Sequence, residues 1–326
     1  MLKMGKYLSI IRWPNLLMVP LTMYLMRYCI VQPMLDYQFS IQLGSQLHLQ
    51  LSDCYFLVLV LINVLLGAGG YVINDYFDRR IDSVNRPDSV IVDKTIPRRH
   101  AMIYHIVLVA SAIVLAAIFA WHLKMFSIVL LYIMIAGIFW LYSTTYKRQF
   151  LVGNLVVACG TATIPLQVGL FEYLTLTREY GYEMLLKDLT FTPIMYWMAG
   201  FAFFAFITNL IREVVKDMED LEGDSTGGCN TLPLYYGMRV SKIVVVALIA
   251  ATIAAMLAVY NIWLHESLTL IYICAFIIVP LVIAAVLTIT ASEVKHYHRI
   301  SILMKIVMLT GVLYAVLARQ IIQFVV

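Results

Sequence analysis

Apolar residues along this chain come in long unbroken runs rather than in alternation, and polar residues gather at the joints between them. Such runs fall near residues 14–32, 54–73, 101–120, 125–143, 151–171, 191–211, 240–263, 268–290 and 301–325. Each has roughly the 20 residues a helix needs to cross a hydrocarbon core, and their continuity excludes the dyad alternation of a strand-built barrel. In lipid a helix satisfies its own backbone hydrogen bonds, so the pattern predicts an all-α, polytopic membrane helical bundle of about nine spans. The joints are short, and residues 1–326 are expected to form a single integral-membrane domain. The first run follows Lys3, Lys6 and Arg12, but no small-residue cleavage pattern comes after Val31. It is therefore expected to be a retained span rather than a signal peptide.

Composition sharpens this picture. Of 326 residues, 62% are hydrophobic and only 13% charged, with a mean hydropathy of +0.87, which excludes a soluble or disordered chain. The net charge of +4 is small and its basic residues are dispersed, so no nucleic-acid partner is expected. Cys29, Cys54, Cys159, Cys229 and Cys274 form no CxxC pair and have no zinc-site spacing with His, so they read as small apolar core residues. With the N-terminus placed in the cytoplasm, seventeen Lys and Arg fall on that side and five on the other. That bias orients the chain with a cytoplasmic N-terminus and, after nine spans, an outside C-terminus.

Positive-inside says nothing about acids, yet five carboxylates crowd into 75–93 and six into 213–224, all on the cytoplasmic side. Asn74, Asp78 and Asp82 are four residues apart, one face of a helix continuing the second run, with Asp75 beside them. Glu213, Asp217, Asp220 and Asp224 keep a 4-3-4 rhythm, again one helical face, continuing the sixth. Like charges at this spacing repel, and carboxylates at the edge of hydrocarbon are costly unless partnered. Two such stripes at the same membrane side suit hard-oxygen coordination of Mg²⁺, which is normally held by one or two carboxylates together with substrate phosphate oxygens. Arg79, Arg86, Arg98, Arg99, Arg212 and Lys216 lie near enough in sequence to add charge-assisted hydrogen bonds. His296 and His298 have no third ligand nearby.

These residues resemble the UbiA family of intramembrane prenyltransferases. Asn74 to Asp82 resembles its NDxxDxxxD motif and Asp217 to Asp224 its DxEDxxGD-type motif. Arg12-Trp-Pro-Asn15, Asn85-Arg86-Pro87, Leu141-Tyr-Ser143, Lys147 and Gly153-Asn154 resemble further family segments, so the likeness covers nearly the whole chain. The second acidic stretch, with Thr231-Leu-Pro233 and Gly237, is most similar to the digeranylgeranylglyceryl phosphate synthase branch. The chain departs from the family pattern after Pro87, where Asp88 to Thr95 intervene and Pro97 is followed by Arg98-Arg99.

The resemblance implies a UbiA-like fold and Mg²⁺-dependent transfer of a polyprenyl group, in the named branch a geranylgeranyl group, from a prenyl diphosphate donor to a lipophilic acceptor among membrane lipids. Asp75, Asp78, Asp82, Asp217, Asp220 and Asp224 would be the catalytic acids. Asn74, Asp75, Asp78 and Asp82 would hold one ion, and Asp217, Asp220 and Asp224 a second, the two bridging the diphosphate. Arg12, Lys147 and Arg212 would contact phosphate oxygens, with Asn15, Arg86 and Lys216 in the same substrate-binding set, and Tyr142 with Ser143 would border the leaving group. The acceptor expected from the branch is a prenylglyceryl phosphate hydroxyl, whose own phosphate Arg98, Arg99 or the Lys216 side could meet; an aromatic quinone or haem precursor is the alternative. A transporter or cation channel, the rival from another class, would put ionisable residues deep in several spans. Here the middles of the runs are almost free of charge. Two structural expectations complete the reading: Gly67-Ala-Gly-Gly70 lets the second span approach its neighbours closely, and the polar stretch 172–190 caps the outer side as a loop or surface helix.

Overall fold

The computed structural model describes residues 2–324; Val325, the end of the ninth expected run, lies outside the described residues. Among the described residues a short helix α1 (Leu2–Ile10) precedes nine helices long and apolar enough to cross a membrane: α2 (Trp13–Leu43), α3 (Asp53–Asn85), α4 (Arg98–Leu123), α5 (Ser127–Thr144), α6 (Val152–Leu186), α7 (Thr192–Glu219), α9 (Leu232–Leu264), α10 (Ser267–Thr290) and α11 (Val294–Gln323). Between α7 and α9 lies the six-residue α8 (Leu221–Thr226). Large apolar side chains such as Ile106, Val107, Val114, Leu130 and Met134 are exposed along these helices, as lipid-facing positions require. The protein is an integral multi-pass membrane protein.

Three helices outrun the ends of their apolar runs by more than ten residues. The helix α2 continues past residue 32 to Leu43 through two π-helical segments on either side of Pro33, whose missing N–H a widened turn can absorb. The helix α3 starts on Ser52, whose Oγ accepts from Tyr55 N, and carries on twelve residues beyond the apolar run into the first acidic stripe. The third, α6, runs on to Leu186, so most of the expected outer cap at 172–190 is a continuation of that helix. Glu172 explains why: it is buried against α2, where Arg27 Nε lies 3.0 Å from its Oε1. Arg27 also donates to the Leu51 carbonyl. The pair lies at the ends of the runs and leaves their middles almost free of charge; a carboxylate taken out of water needs a cation with it.

Packing divides the chain into two compact units. One comprises residues 1–21, 52–156 and 220–235; the other comprises 22–51, 157–219 and 236–326. In the first unit α3 is the hub, and its glycines let the neighbours in. A Cβ on Gly67 would lie 3.0 Å from Leu16, one on Gly69 2.9 Å from Val109 of α4, and one on Gly70 3.3 Å from Phe139 of α5. His105 of α4 adds a ring-nitrogen contact of 2.9 Å to the Gly69 carbonyl. In the second unit Gly311 of α11 faces Phe204 of α7 without room for a side chain, and Tyr272 of α10 donates to Thr310 O of α11.

Candidate active site

The first acidic stripe occupies the last turns of α3, as its spacing predicts. Convergence of bare carboxylates does not occur, and among the described residues no three His, Cys, Asp or Glu side chains form a ready metal cage. Asp75 and Asp78 each draw a cation from another segment instead, because like charges on one face repel until something neutralises them. Arg12 Nη2 lies 2.8 Å from Asp75 Oδ1, and Lys147 Nζ pairs with the buried Asp78.

Both cations are delivered by strained or tightly built turns. Arg12, between α1 and α2, sits in the left-handed region at φ 51°, a conformation that costs a non-glycine residue about 1–2 kcal/mol. The turn is closed by Arg12 N donating to Ser9 O and by Asn15 N donating to Arg12 O, so Asn15 contributes through its backbone. The Arg12 guanidinium also lies over the Tyr71 ring, 5.3 Å from its centroid. Burial works against the Arg12 charge, but Asp75, Tyr71 and Asp82 outweigh it and hold its pKa above the usual value. Lys147 comes from a short 3₁₀ turn between α5 and α6. A Cβ on Gly153 would lie 2.9 Å from the Lys147 Cα, so glycine there lets the start of α6 pack directly against that turn. Burial again disfavours the ammonium, and again Asp78, Tyr142 and Asp224 win, raising its pKa. Ser143 is buried, but its hydroxyl donates to Phe139 O of its own helix.

The second motif departs from a single helical face. The helix α7 ends at Glu219, and Asp220 at φ −93°, ψ 14° is the non-helical residue from which α8 starts. Asp217 stays on α7 in the second unit, while Asp220 and Asp224 belong to the first. The break follows from Asn85, the last residue of α3. Its Nδ2 donates to Asp220 O at 3.1 Å and its Oδ1 accepts from Gly223 N at 2.8 Å, clamping the 220–223 turn. Only glycine fits under this clamp, since a Cβ at Gly223 would lie 2.3 Å from Asn85 Nδ2. Arg86 Nη2 then pairs with Asp220 Oδ1 at 2.9 Å. The end of the first motif thus builds the start of the second.

On α7 Arg212 pairs with the adjacent Glu213, Lys216 and Asp217 are half-buried, and Glu219 lies 2.9 Å from His298 of α11. Buried Cys229 follows the second motif; burial pushes its thiol pKa up to about 11, with the Asp224 charge adding to the shift and Lys147 opposing it. Sequence reasoning left Asn85, Gly223 and Cys229 without a role. The asparagine and glycine had a signal in their motif neighbourhood, whereas nothing in the sequence pointed to Cys229.

The donor set fits a hard divalent cation. Asn74 Oδ1 is buried and, among the described residues, has no hydrogen-bond partner, a costly state for an amide oxygen unless a ligand meets it. Oxygen donors in this number, short of a full cage, match Mg²⁺, which leaves part of its shell to water and phosphate.

Residues 40–309 match the UbiA prenyltransferase family. The chain belongs to that family. It is a membrane prenyltransferase, and its relatives include a digeranylgeranylglyceryl phosphate synthase of Methanosphaera stadtmanae, 30% identical over 94% of this chain and 96% of the relative. Another, from Thermococcus gammatolerans, is 36% identical over 65% of this chain and 69% of its own length. Among solved structures, one concerning digeranylgeranylglyceryl phosphate synthase in membranes superposes with a TM-score of 0.61 at 21% identity, covering 97% of this chain and 99% of that one. A UbiA homologue from Archaeoglobus fulgidus bound to GPP and Mg²⁺ superposes at 0.52 with 17% identity, covering 95% and 99%. These two share the UbiA fold with this chain.

Proposed function

We propose that this UbiA-family chain moves a polyprenyl group of the geranylgeranyl class from its diphosphate to the free hydroxyl of a prenylglyceryl phosphate lipid, with Mg²⁺ as cofactor. The observation that carries the reading is the pairing in the first unit, Arg12 with Asp75, Lys147 with Asp78 and Arg86 with Asp220, together with an unsatisfied Asn74 oxygen on the same helix as Asp75 and Asp78. A site of equal and opposite charges, each pair joining two segments, is built to exchange partners. When a diphosphate enters, the cations can turn to its oxygens while Asn74, Asp75, Asp78, Asp82, Asp220 and Asp224 are left to hold metal. Asp217, Arg212 and Lys216 join this set on the motif alone, and two ions are the number that the two motifs suggest. Bound Mg²⁺ supplies charge neutralisation for the departing diphosphate.

The chain's own residues then do the rest. Arg12, Lys147 and Arg86 orient the leaving group, and Tyr71 and Tyr142 flank it. The C1–O bond of the allylic diphosphate breaks with its electron pair going to the diphosphate, the acceptor hydroxyl oxygen bonds to C1, and the hydroxyl proton leaves to water or to the released diphosphate. An allylic cation is electrophilic enough to need no strong base, and none is assigned. The excess of basic residues on one side supports a cytoplasmic N-terminus and acidic motifs, with the C-terminus outside. The acceptor class is supported by the synthase relatives.

The test offers the purified full chain labelled geranylgeranyl diphosphate, Mg²⁺, and either a prenylglyceryl phosphate or an aromatic quinone precursor. An ether product on the lipid, lost on chelation of the metal, is expected. Product on the aromatic acceptor alone overturns the proposal.

A further inference from the structure

The acidic motifs account for a metal-bound diphosphate, yet they leave a group of cations in the same unit unused. Lys6, Arg80, Lys94, Arg98 and Arg99 are exposed, and among the described residues none of the five has a carboxylate at ion-pair distance. The nearby acids are engaged elsewhere: Asp75 by Arg12, Asp78 by Lys147, Asp93 by Arg79 and Asp220 by Arg86. Exposed Asp88 is the one acid within the loop that remains against them.

Two of these cations, Lys6 and Lys94, are tied to the 86–97 loop, where the chain departs from the family pattern, and Arg98 and Arg99 directly follow it. Val92 and Ile96, bridged through the backbone, bury into a cluster with Ile10, Val72 and Ala101, and Tyr7, Tyr76 and Tyr104 pack against it. On this anchored loop Lys6 Nζ donates to Thr95 Oγ1 at 3.1 Å and Lys94 Nζ donates to Pro87 O. The Arg98 guanidinium lies over the Tyr76 ring, 4.7 Å from its centroid. Tyr76 directly follows Asp75, so Arg98 is held next to the first acidic stripe by a contact that needs no carboxylate. Arg99, the next residue in sequence, has neither an ion pair nor a hydrogen bond from its side chain among the described residues.

Guanidinium groups on two consecutive residues at the start of a spanning helix offer several directed N–H donors, suited to a phosphate monoester rather than to a neutral ring. The reaction above contains one phosphate that is not released, that of the acceptor. We propose that Arg98 and Arg99 bind the acceptor lipid's phosphate and so select a phosphate-bearing hydroxyl over its neutral counterpart, an inference that rests on the prenylglyceryl phosphate reading. Lys6 and Lys94 add positive field around the pair. The sequence left Arg98, Arg99 and the Lys216 side as candidates; the Tyr76 contact favours Arg98, and with it the residue that follows.

The experiment compares the full-length protein with Arg98→Gln/Arg99→Gln and with Arg99→Gln alone, which spares the Tyr76 contact. Each is reconstituted in phosphatidylcholine vesicles with and without anionic phosphatidylglycerol. The acceptors are a prenylglyceryl phosphate and the same prenylglycerol without phosphate. Losing charge-assisted hydrogen bonds should raise the KM for the phosphate acceptor about tenfold or more in the double variant, and less in the single one. Donor KM and turnover of the unphosphorylated acceptor should stay within about twofold. An unchanged acceptor KM overturns the assignment. An equal loss on both acceptors, or one relieved only by anionic lipid, also overturns it, in favour of general attraction to the membrane surface. If the unaltered protein uses no glyceryl phosphate acceptor at all, the functional reading fails, and this inference with it.

Discussion

Asp78 and Lys147 show how a single pair can serve both folding and chemistry. The carboxylate is buried, and the ammonium beside it keeps its proton because Asp78 and its neighbours outweigh the burial. Removing one partner strands the other charge, which costs about 3–5 kcal/mol, whereas replacing both with neutral groups of similar size is close to neutral. Asp78→Asn alone should therefore lower the thermal midpoint in detergent clearly, and Asp78→Asn/Lys147→Met should recover it. Turnover should stay down by about two orders of magnitude or more in both, since the double variant restores packing without restoring phosphate and metal contacts. Recovery of turnover together with stability would make the pair structural only. The sequence made both residues suspects through their motifs, but their partnership joins positions 69 residues apart and is a tertiary fact.

At the scale of elements, the junction between α7 and α8 matters most. The 4-3-4 spacing of Glu213, Asp217, Asp220 and Asp224 reads as one face, and local propensity offers no reason for a break. The break comes from Asn85 on α3, whose Oδ1 takes the Gly223 N–H in place of a helical carbonyl and whose Nδ2 donates to Asp220 O, which also accepts from Asp224 N as α8 starts. Gly223→Ala should force the two apart, since its Cβ would clash with the Asn85 amide. The expected outcome is a rise of about tenfold in the Mg²⁺ concentration needed for half-maximal turnover, with Asn85→Ala showing the same direction through the loss of about 1 kcal/mol per hydrogen bond. An unchanged Mg²⁺ dependence in both variants would show that the clamp does not position the second motif. The extension of α6 past residue 171 has a similar cause. Its polar sequence reads as a capping loop or surface helix, but burying Glu172 against Arg27 makes continuation of α6 the cheaper state.

For the whole molecule, two cysteines of the first unit report on topology and on the site. In the proposed orientation exposed Cys54 opens α3 at the outer side, and buried Cys229 lies at the cytoplasmic side. A membrane-impermeant maleimide should label Cys54 in sealed right-side-out vesicles; labelling only after the inner face is opened would reverse the orientation. Cys229 should react slowly even in detergent, because a thiol held at about 11 has on the order of a few hundredfold less thiolate at neutral pH than an ordinary one near 8.5. The sign also fixes a stability effect: the unfolded thiol loses its proton first, so stability falls as pH rises from the ordinary thiol range towards about 11. By itself the sequence determined the membrane-spanning all-α class and the two acidic motifs. Hydrophobic run length and helical spacing are local properties that lipid and backbone geometry enforce on any chain. Only the tertiary structure decided that Arg12, Lys147 and Arg86 neutralise those acids, that Asn85 breaks the second motif, and that Arg98 rests on Tyr76. Each of these depends on segments far apart in sequence meeting within hydrogen-bonding or ring-contact distance, and spacing along the chain carries no record of that.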